Sequence, residues 1–448
     1  MTHSMKMGLR TVPVLLIAFA MAAQAQTSDE DFSIYKDHPR LLLTPQRLKL
    51  LRREKERNSA RWQQFDTLMR GKAQMPEPGF AFALYYQVAK DEDRGKQAVQ
   101  WALTTGTDIR QLALVYDWCQ PILSSADSAA LRKKISAGLR IDWQTASLPA
   151  ARAYAFAVIA MDELPDAPKY LNQLVNTWWR NRFAPGIKAG SQAPLDAQLY
   201  PVYELLHVIR DNTGVDLREN APRYFKDLPA MELLSYYPAT YPAPENDFRI
   251  PAFAGKKEPD LQAATFSRIA ELSMVAYDNV ATDSQFLQGW VLHDRFILHS
   301  ALGAPYEFFW ANPYQPGLSF YHLPLSIHDP QGGRLFLRST WDEDATWLGY
   351  FDGELQVFDA GKIRQIPIQA QQKIITVGSD AVLPAKGSNM RFSVPAEGPA
   401  TVYVIGLKPR RTYSIEIDDE ELDEQPTDPA GTLALKSTRK DQRTIRIR

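Results

Sequence analysis

The hydrophobic pattern of this sequence changes period once, near residue 325, and that break constrains the fold more than any other feature. Before it, apolar residues recur at three- and four-residue spacing; after it, they alternate. The first pattern lines one stripe of a helix and the second lines one face of a strand. The expected fold class is therefore multidomain, with α and β parts segregated along the chain.

Thr44 is positioned to cap a first helix, with Pro45 at its first position and Leu48 and Leu51 on its apolar face. Further helical stretches are expected at 59–70, 79–90, 94–105, 109–119, 126–140, 147–162, 167–181, 196–211, 217–234, 260–278 and 284–300. Short breakers part them, among them Pro121 with Ser124-Ser125, Pro165, and Pro185-Gly186. About a dozen antiparallel helices joined by short loops suit an irregular array or a ring of hairpins, an α/α toroid. Two long segments read as irregular: the proline-dense stretch 236–259, and 305–324, which holds Tyr306, Phe308, Phe309, Trp310, Tyr314, Phe320 and Tyr321. From Arg334 onward short alternating runs, with an Asp352-Gly353 hairpin turn, point to an antiparallel β-sandwich. The acidic run Glu416 to Glu424 lacks EF-hand spacing and reads as a solvated turn.

Lys6 and Arg10, an apolar run from Val12 to Ala23, and Ala23-Gln24-Ala25 form a signal-peptide pattern cleaved near Ala25, which implies a secreted or periplasmic protein. The run is too short to span a bilayer, and no later stretch is long enough without charges, so no membrane partner is expected. The expected units are 1–25, 26–324 (helical) and 325–448 (sandwich). Removing the signal moves the net charge from −1 to −3. That leaves no basic field for nucleic acid. The single Cys119 permits no internal disulfide, so an exported chain must rest on a large core. Gly-x-Gly-x-x-Gly, Walker and Gly-x-Ser-x-Gly motifs are absent, and the seven histidines show no metal-binding spacing, so neither a cofactor nor a tightly bound metal is expected. Oligomeric state is left open.

The stretch 196–211 carries the most chemistry. At about 100° per residue, Asp196, Tyr200, Tyr203, Glu204, His207 and Asp211 share one arc, opposite Val202, Leu205, Leu206 and Ile209. A tyrosine, a histidine and carboxylates on one rigid face can exchange protons if burial shifts their pKa values; a solvated outer face shows the same pattern. In the proline-rich loop, Tyr241, Asn246, Asp247 and Arg249 could bind a sugar acid, since arginine grips carboxylates through a two-pronged fork. A turn that satisfies its own backbone explains Asn246 and Asp247 equally well. Trp310 and Tyr314 could stack on sugar rings with His322 nearby, or anchor one domain on the other. Trp178 and Trp179 read as core.

Several stretches together resemble the heparinase II/III-like polysaccharide lyases and the related alginate lyases. His38-Pro39-Arg40-Leu41-Leu42-Leu43-Thr44-Pro45 looks like the opening of their helical domain, and Leu112 to Trp118 followed by Leu123-Ser124-Ser125 is similar to a recurrent segment within it. Phe336 to Trp341 with Ala345 to Leu348 looks like their first sandwich strands, and Gly406-Leu407-Lys408-Pro409 with Tyr413 like the closing ones. The resemblance implies an N-terminal α/α toroid on a C-terminal β-sandwich, and β-elimination on a uronic-acid polysaccharide. It also implies a tyrosine at the position of Tyr200 as acid and base, with His207 or His322 assisting and Arg249 or Arg338 holding the carboxylate. Tyr203 and Glu204 join the expected substrate-binding set. Two alternatives stand beside the lyase. One is a non-catalytic glycan-binding or assembly protein. The other is a glycoside hydrolase pairing Glu204 or Asp196 with Asp247.

Overall fold

Side chains start many of the helices as the pattern requires. Thr44 accepts a hydrogen bond from Arg47 N at the head of Pro45–Glu56, and Ser59, Asp91, Asp108, Ser124 and Ser147 cap later helices in the same way. The computed structural model describes residues 32–161, 164–240, 249–255, 261–294, 297–368, 373–385, 387, 389–436 and 442–448. The expected signal peptide and the candidates Tyr241, Asn246 and Asp247 lie outside the described residues. No described helix is long and apolar enough to cross a membrane.

The described elements between Pro45 and His322 are helices, and those from Ser326 onward are strands. Helix Pro78–Ala89 packs on Ile109–Trp118, which packs on Leu148–Ala160, then Leu199–Thr213, Leu261–Tyr277 and Gly303–Trp310 in turn. Phe80 stacks on Tyr306, which brings the last of these helices against the first. These helices are buried on most sides: in Pro78–Ala89, every residue from Gly79 to Val88 except Phe82 is buried. A helix apolar all round belongs inside a layer of other helices, and their partners, such as Glu92–Leu103 and Ser125–Ile135, supply it.

Two sequence expectations are corrected. Residues 303–310 are not irregular but form a helix, because Pro305 falls in its first turn, where a missing N–H costs nothing. Its rings do not bridge the helical and strand parts. They pack inside the helices, Phe308 on Trp62 and Phe65, and Phe309 on Phe80 and Trp118. Pro185-Gly186 likewise does not break a helix but lies within Ala184–Lys188.

The described strands form three sheets. β1 Ser326–Asp329, β2 Arg334–Arg338, β3 Trp347–Phe351, β4 Glu354–Asp359 and β5 Lys362–Ile366 make an antiparallel meander. β6 Ile375–Val377, β7 Asp380–Pro384, β8 Met390–Val394, β9 Thr401–Ile405, β10 Thr412–Ile417, β11 Glu420–Pro426, β12 Leu433–Lys436 and β13 Arg443–Ile447 divide into sheets ordered β12-β9-β7-β6 and β11-β10-β13-β8. The expected all-antiparallel arrangement is broken at one place, where β7 pairs with β9 in parallel.

Alternation along the first sheet explains how the layers stack. Leu335, Leu337, Leu348, Tyr350, Leu355 and Val357 meet Val382, Tyr403 and Ile405 of the middle sheet. The intervening Phe336, Trp347, Phe351 and Phe358 join the helical core instead. Trp347 Nε1 donates to Leu234 O at 2.8 Å, and Tyr237 lies against Trp347 and Phe358. Gly349 sits beside Trp347 on this face; a Cβ there would come within 2.3 Å of the indole. The other face of the middle sheet, with Leu383, Val404, Leu433 and Leu435, covers Phe392, Tyr413, Ile415 and Ile445 of the third. Trp347 thus fixes the strand part on the helices. We expect Trp347→Ala to cost about 3–5 kcal/mol in denaturant unfolding; a loss below about 1 kcal/mol would show that the two parts are held by something else.

Candidate active site

The polar stripe expected at 196–211 is real, but it is neither one helix nor solvated. Asp196–Gln198 is a 3-10 turn, and the helix proper is Leu199–Thr213. Tyr200, Tyr203, Glu204 and His207 are all buried, together with the apolar residues opposite them. A buried carboxylate must find cations or donors, and Glu204 finds three. Arg110 approaches it side-on, with Nε at 2.8 Å from both carboxylate oxygens and Nη2 at 2.5 Å from Oε1. Arg152 Nη1 donates to Oε2 at 2.8 Å, and Tyr200 O–H donates to Oε1 at 2.5 Å.

The network extends through Arg110. Its Nη1 donates to Glu77 at 2.8 Å and its Nη2 to Tyr306 Oη at 2.9 Å, and Tyr306 donates in turn to Glu77. Trp310 Nε1 donates to Tyr200 Oη at 3.3 Å, and Arg110 Nη2 lies 3.4 Å from the same oxygen. Except for Trp310, the last residue of its helix, these residues come from the first two turns of helices 109–118, 148–160, 199–213 and 303–310, and from the residue just before 78–89. Converging N-termini add the positive ends of their dipoles to the two guanidiniums. Glu77 and Arg152 are half-buried and form the open edge of the cluster.

Electrostatics sort the roles. Burial alone would raise the Glu204 pKa, but Arg110 and Arg152 outweigh it and hold the carboxyl below its usual range. Burial, then the Glu204 charge, push the Tyr200 phenol well above its ordinary value, so Tyr200 rests protonated. His207 lies deeper, its ring against Trp310 and Tyr277, with Nε2 donating to Ser273 O at 3.0 Å. Burial brings its pKa down to about 4, against the opposing attraction of Asp211, 3.8 Å from Nδ1. It is a neutral core histidine, fully buried and away from the open edge.

The other expected residues fall elsewhere. Tyr203 packs against Phe225 and Tyr277 on another side of the helix. Tyr314 is exposed, beneath Arg53 and Arg57. Arg249 and Arg338 lie together where the helices meet the first sheet, near Tyr321 and His322; no contact among the described residues joins His322 to Tyr200 or Glu204. Two of the carboxylates named for the hydrolase alternative are committed. Glu204 is bound to two arginines, Asp196 pairs with Arg334 at 2.8 Å, and Asp247 lies outside the described residues.

Sequence reasoning missed Glu77, Arg110, Arg152 and Tyr306. A usable signal was present. Arg152 is the single charged residue of Leu148–Ala160, and Arg110 the single cation of Ile109–Trp118. A lone arginine in a buried helix requires a buried acid.

No protein-family profile and no curated protein matches the chain. Among solved structures, it is similar to a heparinase III at 10% identity, covering 82% of this chain and 76% of that one, with a TM-score of 0.40. It is also similar to the heparan sulfate lyase HepC from Pedobacter heparinus (13% identity, 82% and 74% covered, TM-score 0.38) and to a glycoside hydrolase (11% identity, 83% and 71% covered, TM-score 0.27). At TM-scores below 0.5 these likenesses assign no function to the chain.

Two outcomes are expected. Glu204→Ala, which takes the shared acid from the buried Arg110 and the half-buried Arg152, should cost about 3–5 kcal/mol by chemical denaturation, and Glu204→Gln less. The His207 pKa is depressed on folding, so between pH 6.5 and about 4 the unfolded state binds more protons and stability falls as pH is lowered. His207→Gln should flatten that part of the stability–pH curve; an unchanged slope would mean that His207 is accessible to protons in the native state.

Proposed function

We propose that this protein is an exported, carbohydrate-active enzyme that cleaves a uronic-acid glycan by β-elimination at the Tyr200–Glu204 cluster. In this reading the signal peptide ends near Ala25, residues 26–324 form an α/α toroid, and 325–448 form the sandwich packed on it. The inner ring is the succession of helices from 78–89 to 303–310, closed by Phe80 on Tyr306. Their N-terminal ends form the mouth at which an anionic sugar docks.

One observation carries the reading: a phenol and a carboxylate 2.5 Å apart, flanked by two guanidiniums at converging helix N-termini. Abstraction of the proton α to a carboxylate builds negative charge on that carboxylate. Arg152, at the open edge, supplies the neutralising cation. Tyr200 rests protonated and so cannot act as a base unaided. When the substrate carboxylate pairs with Arg152 it draws that cation from Glu204 and raises the basicity of Glu204, which then draws the phenolic proton as the phenol oxygen takes the substrate's C–H proton. Tyr200 then passes that proton to the departing glycosidic oxygen, and Glu204 returns the one it borrowed, so no net proton is consumed. Arg110 and the Trp310 N–H stabilise the transient charge on the phenol oxygen.

The ultraviolet absorbance of the unsaturated product, followed over a panel of alginate, heparan and chondroitin, tests this. Wild type should act on at least one substrate. Tyr200→Phe should lower kcat by about 10²–10⁴ while retaining binding. Arg152→Ala should raise KM on the acidic substrate by about tenfold. A panel with binding but no product from wild type would favour the glycan-binding alternative, which the saturated hydrogen bonding of Glu204 also suits.

A further inference from the structure

β2 ends at Arg338, where the strand leaves the first sheet beside the helices. Its side chain is 1% exposed. Nε donates to Thr340 O at 3.0 Å, and the guanidinium stacks on the Trp341 ring at 4.3 Å. Nη1 has no hydrogen-bond partner. Three other buried arginines carry acids: Arg110 holds Glu204, Arg268 holds Asp294, and Arg334 holds Asp196. Arg338 forms no ion pair with a described residue: of its charged neighbours, Asp342 is exposed and makes no ion pair with it, and Arg249 is a second cation, already engaged by Asp294 and Glu343. Burial and the Arg249 charge together bring the Arg338 pKa down to about 10. A buried cation without an acid is destabilising, and a native site that keeps one is poised for an anion from outside.

The surroundings indicate what carries that anion. Tyr321, 51% exposed, lies within electrostatic range of the same guanidinium and stacks on Phe320 at 4.6 Å and 23°. Phe320 is wedged between Trp290 and Trp341, so the platform is rigid. A flat ring backed by others, next to an unpaired planar fork, offers one sugar both a stacking face and a bidentate partner for its acid group. None of these residues belongs to the Tyr200–Glu204 cluster.

We propose that Arg338 and Tyr321 form a second glycan subsite, which grips the carboxylate or sulfate of a sugar residue away from the reacting bond. This rests on the anionic-glycan part of the functional reading and not on the chemistry of Tyr200. Calorimetry on the full chain tests it, using a uronate oligosaccharide, a sulfated oligosaccharide, an uncharged one and inorganic sulfate at matched ionic strength. Arg338→Met should weaken an acidic oligosaccharide by about tenfold or more and leave the uncharged one unaffected. Arg338→Lys, which keeps the charge and loses the fork, should fall between; Tyr321→Ala should weaken both. The ligand-free melting temperature of Arg338→Met should equal or exceed that of wild type, because the charge removed makes no ion pair and Met keeps apolar contact with Trp341. Unchanged affinity for acidic oligosaccharides in both Arg338 variants would overturn the proposal. So would an Arg338 dependence seen only with inorganic sulfate. Arg338-dependent binding in a protein that makes no unsaturated product would leave this subsite standing and overturn the lyase reading alone.

Discussion

A carboxylate with no access to water organises the helical part of this protein. Glu204 can stay ionised there only because Arg110, Arg152 and Tyr200 together saturate its oxygens. Removing any one leaves a buried charge short of partners, which is far costlier than losing a surface ion pair. Since those donors stand near the N-terminal ends of three helices, satisfying Glu204 also fixes how the helices sit. Glu77 and Tyr306 bring in two more through Arg110. The geometry that makes Tyr200 a plausible proton carrier is thus a consequence of the same electrostatic demand that holds the core together.

The strand part is positioned by a different force. The first sheet is apolar on both faces, one against the helices and the other against the middle sheet. Trp347, with Gly349 leaving room for its ring, is the contact on which the first of these depends. At the seam between helices and sheet stands Arg338, which makes no ion pair with a described residue, in contrast with Arg110 in the helical core. One arginine is spent on structure and the other is left open, and only the open one has an exposed ring beside it.

Much of the architecture was legible in periodicity, because period reports which face of an element is buried and does so locally. The change from helix to strand, the Thr44 cap and the Asp352-Gly353 turn are of this kind. The helix 303–310 was not, since its prolines and aromatics read as loop while Pro305 sits harmlessly in the first turn. Parallel pairing of β7 with β9 was invisible too, because alternation carries no strand direction. Within the site, the stripe of 199–213 marked Tyr200 and Glu204, but it marked His207 and Tyr203 with equal weight. Only packing separates a carboxylate held by arginines from a histidine sealed against Trp310. The partners of Glu204 lie 52 and 94 residues away in sequence. No local pattern joins them; a lone arginine in an apolar helix was the single available hint.

The most direct test is a crystal structure of Tyr200→Phe with a uronate oligosaccharide bound. We expect a uronate carboxylate paired with Arg152, and the adjoining C–H bond within reach of the position vacated by the Tyr200 hydroxyl. A sugar chain bound elsewhere on the protein, with the Glu204 cluster closed and untouched, would contradict the assignment of this cluster as the reacting centre.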